Sequence, residues 1–188
     1  MPVQRVDTND PLYQGFIKSR FWMPTGAIDE NSANRQNTGS TVSPNSGTMM
    51  LTGGLVIPNG VTCTGVGFRC VAAPVGPTNG WLALVRQSDL LVLTKTADDL
   101  TVGWPTTAIT RSWTTPFTPT VDTAVYVGIV TVAGTAATIS GYSVQTQLGI
   151  LPPIMGGPSS TGLTTPASLG ANATAITAAG LLPYAYLF

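Results

Sequence analysis

The sequence predicts an all-β fold, an antiparallel β-sandwich with extended N- and C-terminal arms. Between residues 61 and 132, short runs rich in Val, Ile, Leu, Thr and aromatic residues alternate with turns that contain Pro, Gly, Asn and Asp, a pattern typical of antiparallel β-domains. The 21 glycines and 15 prolines disfavour helices. We therefore expect a β-sandwich domain over residues 48–144, with a polar arm at 1–47 and a Pro/Gly-rich arm at 145–188.

The strands of the domain are expected where the apolar runs lie. The apolar run at residues 48–57 contains Gly53-Gly54, which predicts a bulge or bend within that strand. The clearest hairpin has its turn at residues 87–90. Residues 124–132 are apolar at both parities, which indicates a central strand covered on both faces. The predicted strands are 48–57, 61–73, 81–86, 91–96, 124–132 and 136–144, with loops at 74–80 and 97–105 and a shorter peripheral segment at 108–113.

The two arms contain the residues that we expect to make assembly contacts. In the N-terminal arm, Phe16, Phe21 and Trp22 lie among basic residues in a stretch that is either an edge strand or a contact strip. Residues 123–188 contain no Asp, Glu, Lys or Arg, so this stretch is either a flexible linker or lies against protein, where unpaired charges would cost free energy. Ordering about 30 residues costs on the order of 30–60 kcal/mol, so the arm must pack along its length, on its own core or on partner chains. The contact residues expected at its end are Leu181, Leu182, Tyr184, Tyr186, Leu187 and Phe188.

The two cysteines, Cys63 and Cys70, lie seven positions apart in one predicted strand. Residues at that spacing point to opposite faces of a strand, so a disulfide would need a bend at Gly65 or Gly67. The N-terminal residues lack the apolar stretch of a secretory signal. We predict two buried thiols.

Composition argues against several classes of function. The net charge is zero, which gives no electrostatic footprint for nucleic acid, and no apolar run reaches the roughly 18 residues of a membrane helix. The chain has no histidine, and Glu30 is its single glutamate, which excludes histidine-based catalytic triads and metal sites. We predict no enzyme activity, catalytic residue or cofactor. Asp98-Asp99 is either a solvated turn or a calcium-binding loop.

The tryptophans raise the question of a sugar-binding surface. Trp81 opens a core-like strand, which favours simple packing, whereas Trp104 follows an acidic turn and precedes Pro105. We expect Trp104 to be an exposed ring, able to stack on a glycan. Arg69 and Arg111 are expected to pair with Asp98, Asp99 or Asp122.

The central block resembles a known family. The runs IPNGVTCTGVGFRC, GWLALVRQSDLLVLTKTA and FTPTVDTAVYVGIVTV are similar to the small jelly-roll modules in minor tail and other virion proteins of tailed phages, especially those infecting actinobacteria. That family's L-A-L-Y-D-x-x-G-x-L-L-A hairpin is matched by Leu82-Ala83-Leu84-Val85 and Leu90-Leu91, and its late Y-Y-V-A-L strand by residues 125–129. The resemblance covers roughly residues 48–143 and departs at the hairpin turn, where Ser88-Asp89 stands in place of Asp-Gly.

The resemblance implies a non-enzymatic virion component with a jelly-roll fold. Our first hypothesis is a minor tail or tail-tip protein, assembled in the host cytoplasm as a homotrimer or larger oligomer together with other virion proteins. The second is a capsid decoration or head-fibre protein. The third is a carbohydrate-binding module for host-surface attachment, with Trp104 on the glycan.

Overall fold

The computed structural model describes residues 29–30, 39–99, 104–144 and 155–188, which form two antiparallel sheets packed face to face. This confirms the predicted all-β class and its two-sheet sandwich. The helical structure in these residues is a single 3-10 turn, Pro166–Ser168, so none of their helices has the length or hydropathy to cross a membrane. Phe16, Phe21 and Trp22 lie outside the described residues.

The described residues contain twelve strands. They are β1 (Asp29–Glu30), β2 (Ser40–Val42), β3 (Met50–Ile57), β4 (Cys63–Ala72), β5 (Val75–Arg86), β6 (Val92–Lys95), β7 (Ala108–Phe117), β8 (Thr123–Thr135), β9 (Thr138–Ser143), β10 (Gly156–Pro158), β11 (Leu181–Pro183) and β12 (Ala185–Leu187).

The first sheet has the strand order β1-β12-β4-β9-β11, with β7 also paired to β4 and β2 to β9. The second sheet has the order β10-β3-β8-β5-β6. Large apolar side chains from both sheets, including Phe68 and Ile139 from the first and Leu84 and Ile129 from the second, form the core between them. Burial of this apolar surface is the main source of stability in such a sandwich.

The central position predicted for residues 124–132 is confirmed. Strand β8 lies between β3 and β5, with Met50 opposite Ile129 on one side and Leu82 opposite Ile129 on the other. Val127 points into the core between the sheets, and Tyr126 points to the opposite face, where it is also buried. The predicted bulge at Gly53-Gly54 is confirmed by a register shift between Thr52 and Leu55.

Two of the predicted loop or peripheral segments are strands. The predicted loop at 74–80 is wrong, because β5 starts at Val75, opposite Thr135, and follows the long β8 along its whole length. Residues 108–117 form the ten-residue strand β7 on the edge of β4. The main-chain hydrogen bonds of these two segments are made with β8 and β4, which are distant in sequence. The Pro and Gly residues in the segments therefore led to a wrong local prediction, because tertiary pairing overrides local preference.

Residues 155–180, which we call the covering segment, pack over the outer face of the second sheet. Leu163, Leu169, Ala173 and Ile176 form one apolar cluster with side chains of that sheet, among them Trp81. Main-chain hydrogen bonds hold the segment in place, such as Met49 N–H to Ser160 O at 2.9 Å and Ala173 N–H to Leu90 O at 2.8 Å. The central part of the second sheet, around Trp81 and Tyr126, is therefore buried on both faces.

The described parts of both predicted arms belong to the sandwich. Strand β2 pairs with β9, and β10, β11 and β12 pair with β3, β9 and β4. Extended terminal arms are therefore not confirmed, because many apolar residues of 155–188 are buried within the same chain. The rest of the predicted arms lies outside the described residues.

Candidate functional site

The C-terminal segment, residues 181–188, lies in a fork between β4 and β9. These two strands pair with each other at Cys70 and Ile139. Beyond that point β11 pairs with β9, with Pro183 opposite Gly141, and β12 pairs with β4, with Ala185 opposite Phe68. The segment thus follows β9 into the fork and leaves it along β4.

The two faces of β12 have different roles. Ala185 and Leu187 have no solvent exposure and belong to the core between the sheets. Tyr184, Tyr186 and Phe188 have the other parity and form a row, with ring centroids 6.3 Å and 6.4 Å apart. Alternation along one strand therefore anchors the segment in the core and places an aromatic row on the outer face of the first sheet.

Glycines of β4 give this aromatic row its space. A Cβ atom built on Gly67 would lie 2.1 Å from Cζ of Tyr186, and one built on Gly65 would lie 2.3 Å from Cζ of Phe188. Side chains at these positions would displace the rings, a common reason for glycine within a strand. A register shift between Cys63 and Gly65 also marks a bulge in β4 at this place.

Main-chain hydrogen bonds fix the end of the segment. The main-chain oxygen of Phe188 accepts bonds from the N–H groups of Thr64, at 2.7 Å, and Gly65, at 3.0 Å, and from the Thr64 hydroxyl at 3.2 Å. The N–H of Tyr184 donates to Ser140 O at 2.8 Å. The segment is therefore tied to both β4 and β9.

The residues predicted to make assembly contacts at the end of the chain divide into buried and exposed ones. Leu182, Tyr184, Tyr186 and Leu187 are at most 8% exposed and pack within their own chain, so in this fold they do not reach partners. Leu181 is 44% exposed. Contact with partner chains stays a prediction for Leu181 and for the half-buried Phe188.

A cleft of about 360 Å³ opens on the outer face of the first sheet, at the fork. Its lining includes Arg69 on β4, Ser140 on β9 and the rings of Tyr184 and Tyr186. Thr106 and Thr107, which precede β7, complete the polar part of the lining. The cleft brings together residues that are far apart in the sequence, such as Arg69 and Tyr184, which are separated by 115 positions. They are neighbours because the C-terminal segment fills the fork.

The ion pair predicted for Arg111 is confirmed. Its guanidinium lies 2.6 Å from Oδ2 of Asp99. The same carboxylate oxygen accepts a 3.2 Å bond from Nε1 of Trp104. No such pairing exists for Arg69, whose exposed guanidinium makes no hydrogen bond or ion pair with the described residues.

The prediction that Trp104 is an exposed ring for a glycan is wrong. Its side chain is 2% exposed and packs edge-on against Phe68, with ring centroids 4.9 Å apart. The bond to Asp99 satisfies the indole N–H, so the whole ring can enter the core. Trp81 and Trp113 are also buried, which confirms the packing interpretation of Trp81.

The acidic turn at Asp98-Asp99 is bonded to protein donors. Asp98 accepts from Nδ2 of Asn79 at 2.5 Å and from the N–H of Gly80 at 2.9 Å, and Asp99 accepts from Trp104 and Arg111 as described. The described residues hold no group of three side chains suited to a metal ion. The turn therefore joins β5 to β7 through hydrogen bonds.

We expect Asp99→Asn to destabilise the protein by on the order of 1 kcal/mol. The variant keeps one oxygen acceptor but loses the charge that holds the part-exposed Arg111, so the cost is modest. Chemical denaturation measures it. Asp89→Asn is the matched control, because its pair with Arg86 is solvent-exposed and should contribute less. Equal losses at the two sites would contradict a role for Asp99 in holding Trp104.

The prediction of two buried thiols is confirmed. Cys63 and Cys70 are free and at most 1% exposed. Burial raises the pKa of the Cys63 thiol, opposed by a 3.2 Å hydrogen bond from Nε1 of Trp113 to its sulfur. Burial likewise raises the pKa of Cys70.

Both thiols should therefore react slowly with a disulfide reagent in the native protein at pH 8. A raised pKa lowers the thiolate fraction, and an opening step of about 4 kcal/mol would suppress labelling roughly a thousandfold. Labelling kinetics followed by mass spectrometry, with the protein unfolded in guanidinium chloride as the control, measure this protection. Rapid reaction of either cysteine under native conditions would contradict its placement in the core.

Comparison of the chain with protein-family models, with curated proteins and with solved structures finds no match. Functional inference therefore rests on the geometry of the covering segment, the C-terminal segment and the cleft, together with the resemblance of the central block. Of these, the covering segment supplies a row of exposed residues without charge, and the cleft supplies a guanidinium that has no acceptor among the described residues.

Proposed function

We propose that the chain is a non-enzymatic structural protein of a tailed-bacteriophage virion, a jelly-roll module of the tail or tail tip that assembles with copies of itself. The observation that carries this proposal is the exposed side of the covering segment, whose residues include no Asp, Glu, Lys or Arg and lie over the outer face of the second sheet. The resemblance of residues 48–143 to virion modules points in the same direction.

The composition of this surface suits contact with other proteins. Small hydroxyl-bearing and apolar residues stand outward while the leucines and Ile176 point inward. Residues 123–188 contain no Asp, Glu, Lys or Arg, so the covering segment itself brings no charged side chain to a contact, although the ammonium group of Lys95 in the sheet beneath donates to Pro166 O. Depletion of charge is characteristic of the cores of protein interfaces. The exposed residues other than glycine are Thr161, Thr164, Thr165, Ala167, Ser168, Ala171, Asn172, Thr174, Ala175 and Thr177.

The sandwich beneath this surface supports such a role. Part-buried hydrogen bonds brace the covering segment internally: the Ser159 hydroxyl donates to Thr174 O at 2.7 Å, and the Thr174 N–H donates to the Ser160 hydroxyl at 3.0 Å. A contact surface fixed on a rigid layer loses little conformational entropy when a partner binds. We therefore assign the assembly contacts to the covering segment, together with Leu181 and Phe188.

A capsid decoration or head-fibre protein is the second candidate, because an uncharged face fits a shell as well as a tail. Symmetry separates the two. A tail component is present in a few copies that follow a threefold or sixfold axis, whereas a decoration protein is present in hundreds. The carbohydrate-binding hypothesis placed the glycan on Trp104, and this residue cannot contact a glycan because it is buried.

Quantitative mass spectrometry of purified phage particles tests the proposal. We expect the chain to be present at a small multiple of three copies per particle. Hundreds of copies would favour the decoration role, and absence from particles that are produced together with the chain would overturn both virion roles.

Charge insertion tests the assigned surface. Ala167→Glu and Ala175→Glu place a carboxylate on exposed positions of the covering segment and should reduce incorporation into particles without lowering stability. Val121→Glu, at a position 66% exposed outside the segment, is the matched control. Normal incorporation of the two alanine variants would contradict the assignment of this face.

A further inference from the structure

We propose that the cleft at the fork binds an acidic saccharide, a sugar unit that carries a carboxylate or a phosphate group. This binding role goes beyond the structural role proposed above and uses a different face of the molecule. It rests on four features of the cleft: a guanidinium and a nearly buried hydroxyl that have no partner among the described residues, two exposed threonines and two tyrosines.

The guanidinium is the anion-binding group. Arg69 points to the outer face of β4, on the same side as Gly65 and Gly67, and is solvent-exposed. Arg86 and Arg111 are paired with Asp89 and Asp99, whereas Arg69 has no acceptor among the described residues. A planar guanidinium matches a carboxylate or phosphate with two parallel hydrogen bonds.

The hydroxyl of Ser140 is the second feature. The side chain is 5% exposed and lines the cleft, yet its oxygen makes no hydrogen bond with the described residues. The main-chain oxygen of the same residue already accepts from Tyr184 N–H, so Ser140 is held firmly in position. A nearly buried polar group that faces a cleft without a protein partner is suited to a ligand hydroxyl.

The other lining residues indicate a sugar and not a bare anion. Thr106 and Thr107 are exposed at the rim with no side-chain hydrogen bond in the described part of the chain. Tyr184 and Tyr186, which are 4% and 8% exposed, also line the cleft and supply a small aromatic area for the edge of a pyranose ring. A volume of about 360 Å³ is at the lower end of the roughly 300–1,000 Å³ usual for ligand sites, which suits about one or two sugar units. A simple anion would use Arg69 alone.

Titration of the full chain with four probes tests this proposal. Calorimetry or ligand-detected NMR should show binding of glucuronate and of glucose 6-phosphate, with acetate and glucose at least tenfold weaker. The first comparison tests the need for the sugar, and the second tests the need for the charge. Glucuronate binding no tighter than acetate would mean an adventitious anion site only and would overturn the proposal, as would no binding of either acidic sugar.

Variants of the lining residues assign the binding to this cleft. Arg69→Gln should weaken binding of glucuronate at least tenfold, and Ser140→Ala should weaken it a few-fold. Arg86→Gln removes a guanidinium on the second sheet and should leave the affinity unchanged, and thermal unfolding should show that Arg69→Gln is folded, because the side chain is exposed. Unchanged affinity in Arg69→Gln would overturn the assignment. None of these results depends on the copy number in particles, so the two proposals can fail separately.

Discussion

Deletion of residues 181–188 is expected to abolish cooperative folding. The deletion removes β11 and β12, which lie against β9 and β4 in the first sheet, and exposes the core side of both strands. Burying a side chain of this size contributes about 1.5–3 kcal/mol, so the four buried ones, Leu182, Tyr184, Tyr186 and Leu187, contribute roughly 6–12 kcal/mol together. That is comparable to the roughly 5–15 kcal/mol stability of a whole domain.

Near-ultraviolet circular dichroism and thermal unfolding of the truncated chain measure this loss. Two single substitutions separate loss of core packing from a general effect of changing the end of the chain. Leu187→Ala, at a position with no exposure, should destabilise the protein by about 2–5 kcal/mol. Leu181→Ala, at a position 44% exposed, should cost much less. A truncated chain that unfolds cooperatively near the full-length midpoint would contradict the placement of this segment in the sheet.

Gly67→Ala is expected to destabilise the protein by about 1–3 kcal/mol, the usual cost of overpacking. The new methyl group would lie 2.1 Å from Cζ of Tyr186, so the ring must leave its place over β4 and lose its contacts. In a Tyr186→Ala background the same substitution should stabilise by about 0.4–1 kcal/mol, because alanine restricts the unfolded chain more than glycine does.

The change of sign makes this pair of variants diagnostic. Urea denaturation of the two single variants and the double variant gives the coupling free energy, which we expect to be large and of the sign of a relieved clash. Gly170→Ala is the control, since no atom lies within 4 Å of its Cβ position. An equal loss from Gly67→Ala with and without the Tyr186 ring would refute the contact between them.

Local sequence patterns predicted the domain but not its completion. The apolar alternation of 48–57 and 124–132 is a property of the strands themselves, so it indicated β3 and β8 directly. The position of β12 depends on pairing with β4, more than a hundred residues earlier, and its preceding residues are irregular. Such long-range pairing has no local signature, so the segment was expected to leave the domain.

One feature of the site could have been predicted from the sequence but was missed, and another has no sequence pattern that predicts it. The small residues Gly65 and Gly67 match, at the same spacing of two, the aromatic residues Tyr186 and Phe188. That complementarity was present in the sequence, but the two glycines were considered only as places for a bend. The cleft could not be predicted from the sequence, because Arg69 and Ser140 become neighbours only when the distant strands β4 and β9 pair at the base of the fork. Trp104 was misjudged because burial depends on the bond to Asp99.

Hydrogen exchange of the dilute monomeric protein tests the central claim most directly, namely that residues 181–188 complete the sheet of their own chain. Mass spectrometry of peptides covering this segment should show protection comparable to that of β8, because the N–H groups of Tyr184 and Phe188 are bonded to Ser140 and Gly65. Complete exchange of the segment within seconds, with β8 still protected, would show that it is not part of the folded monomer and would contradict the account.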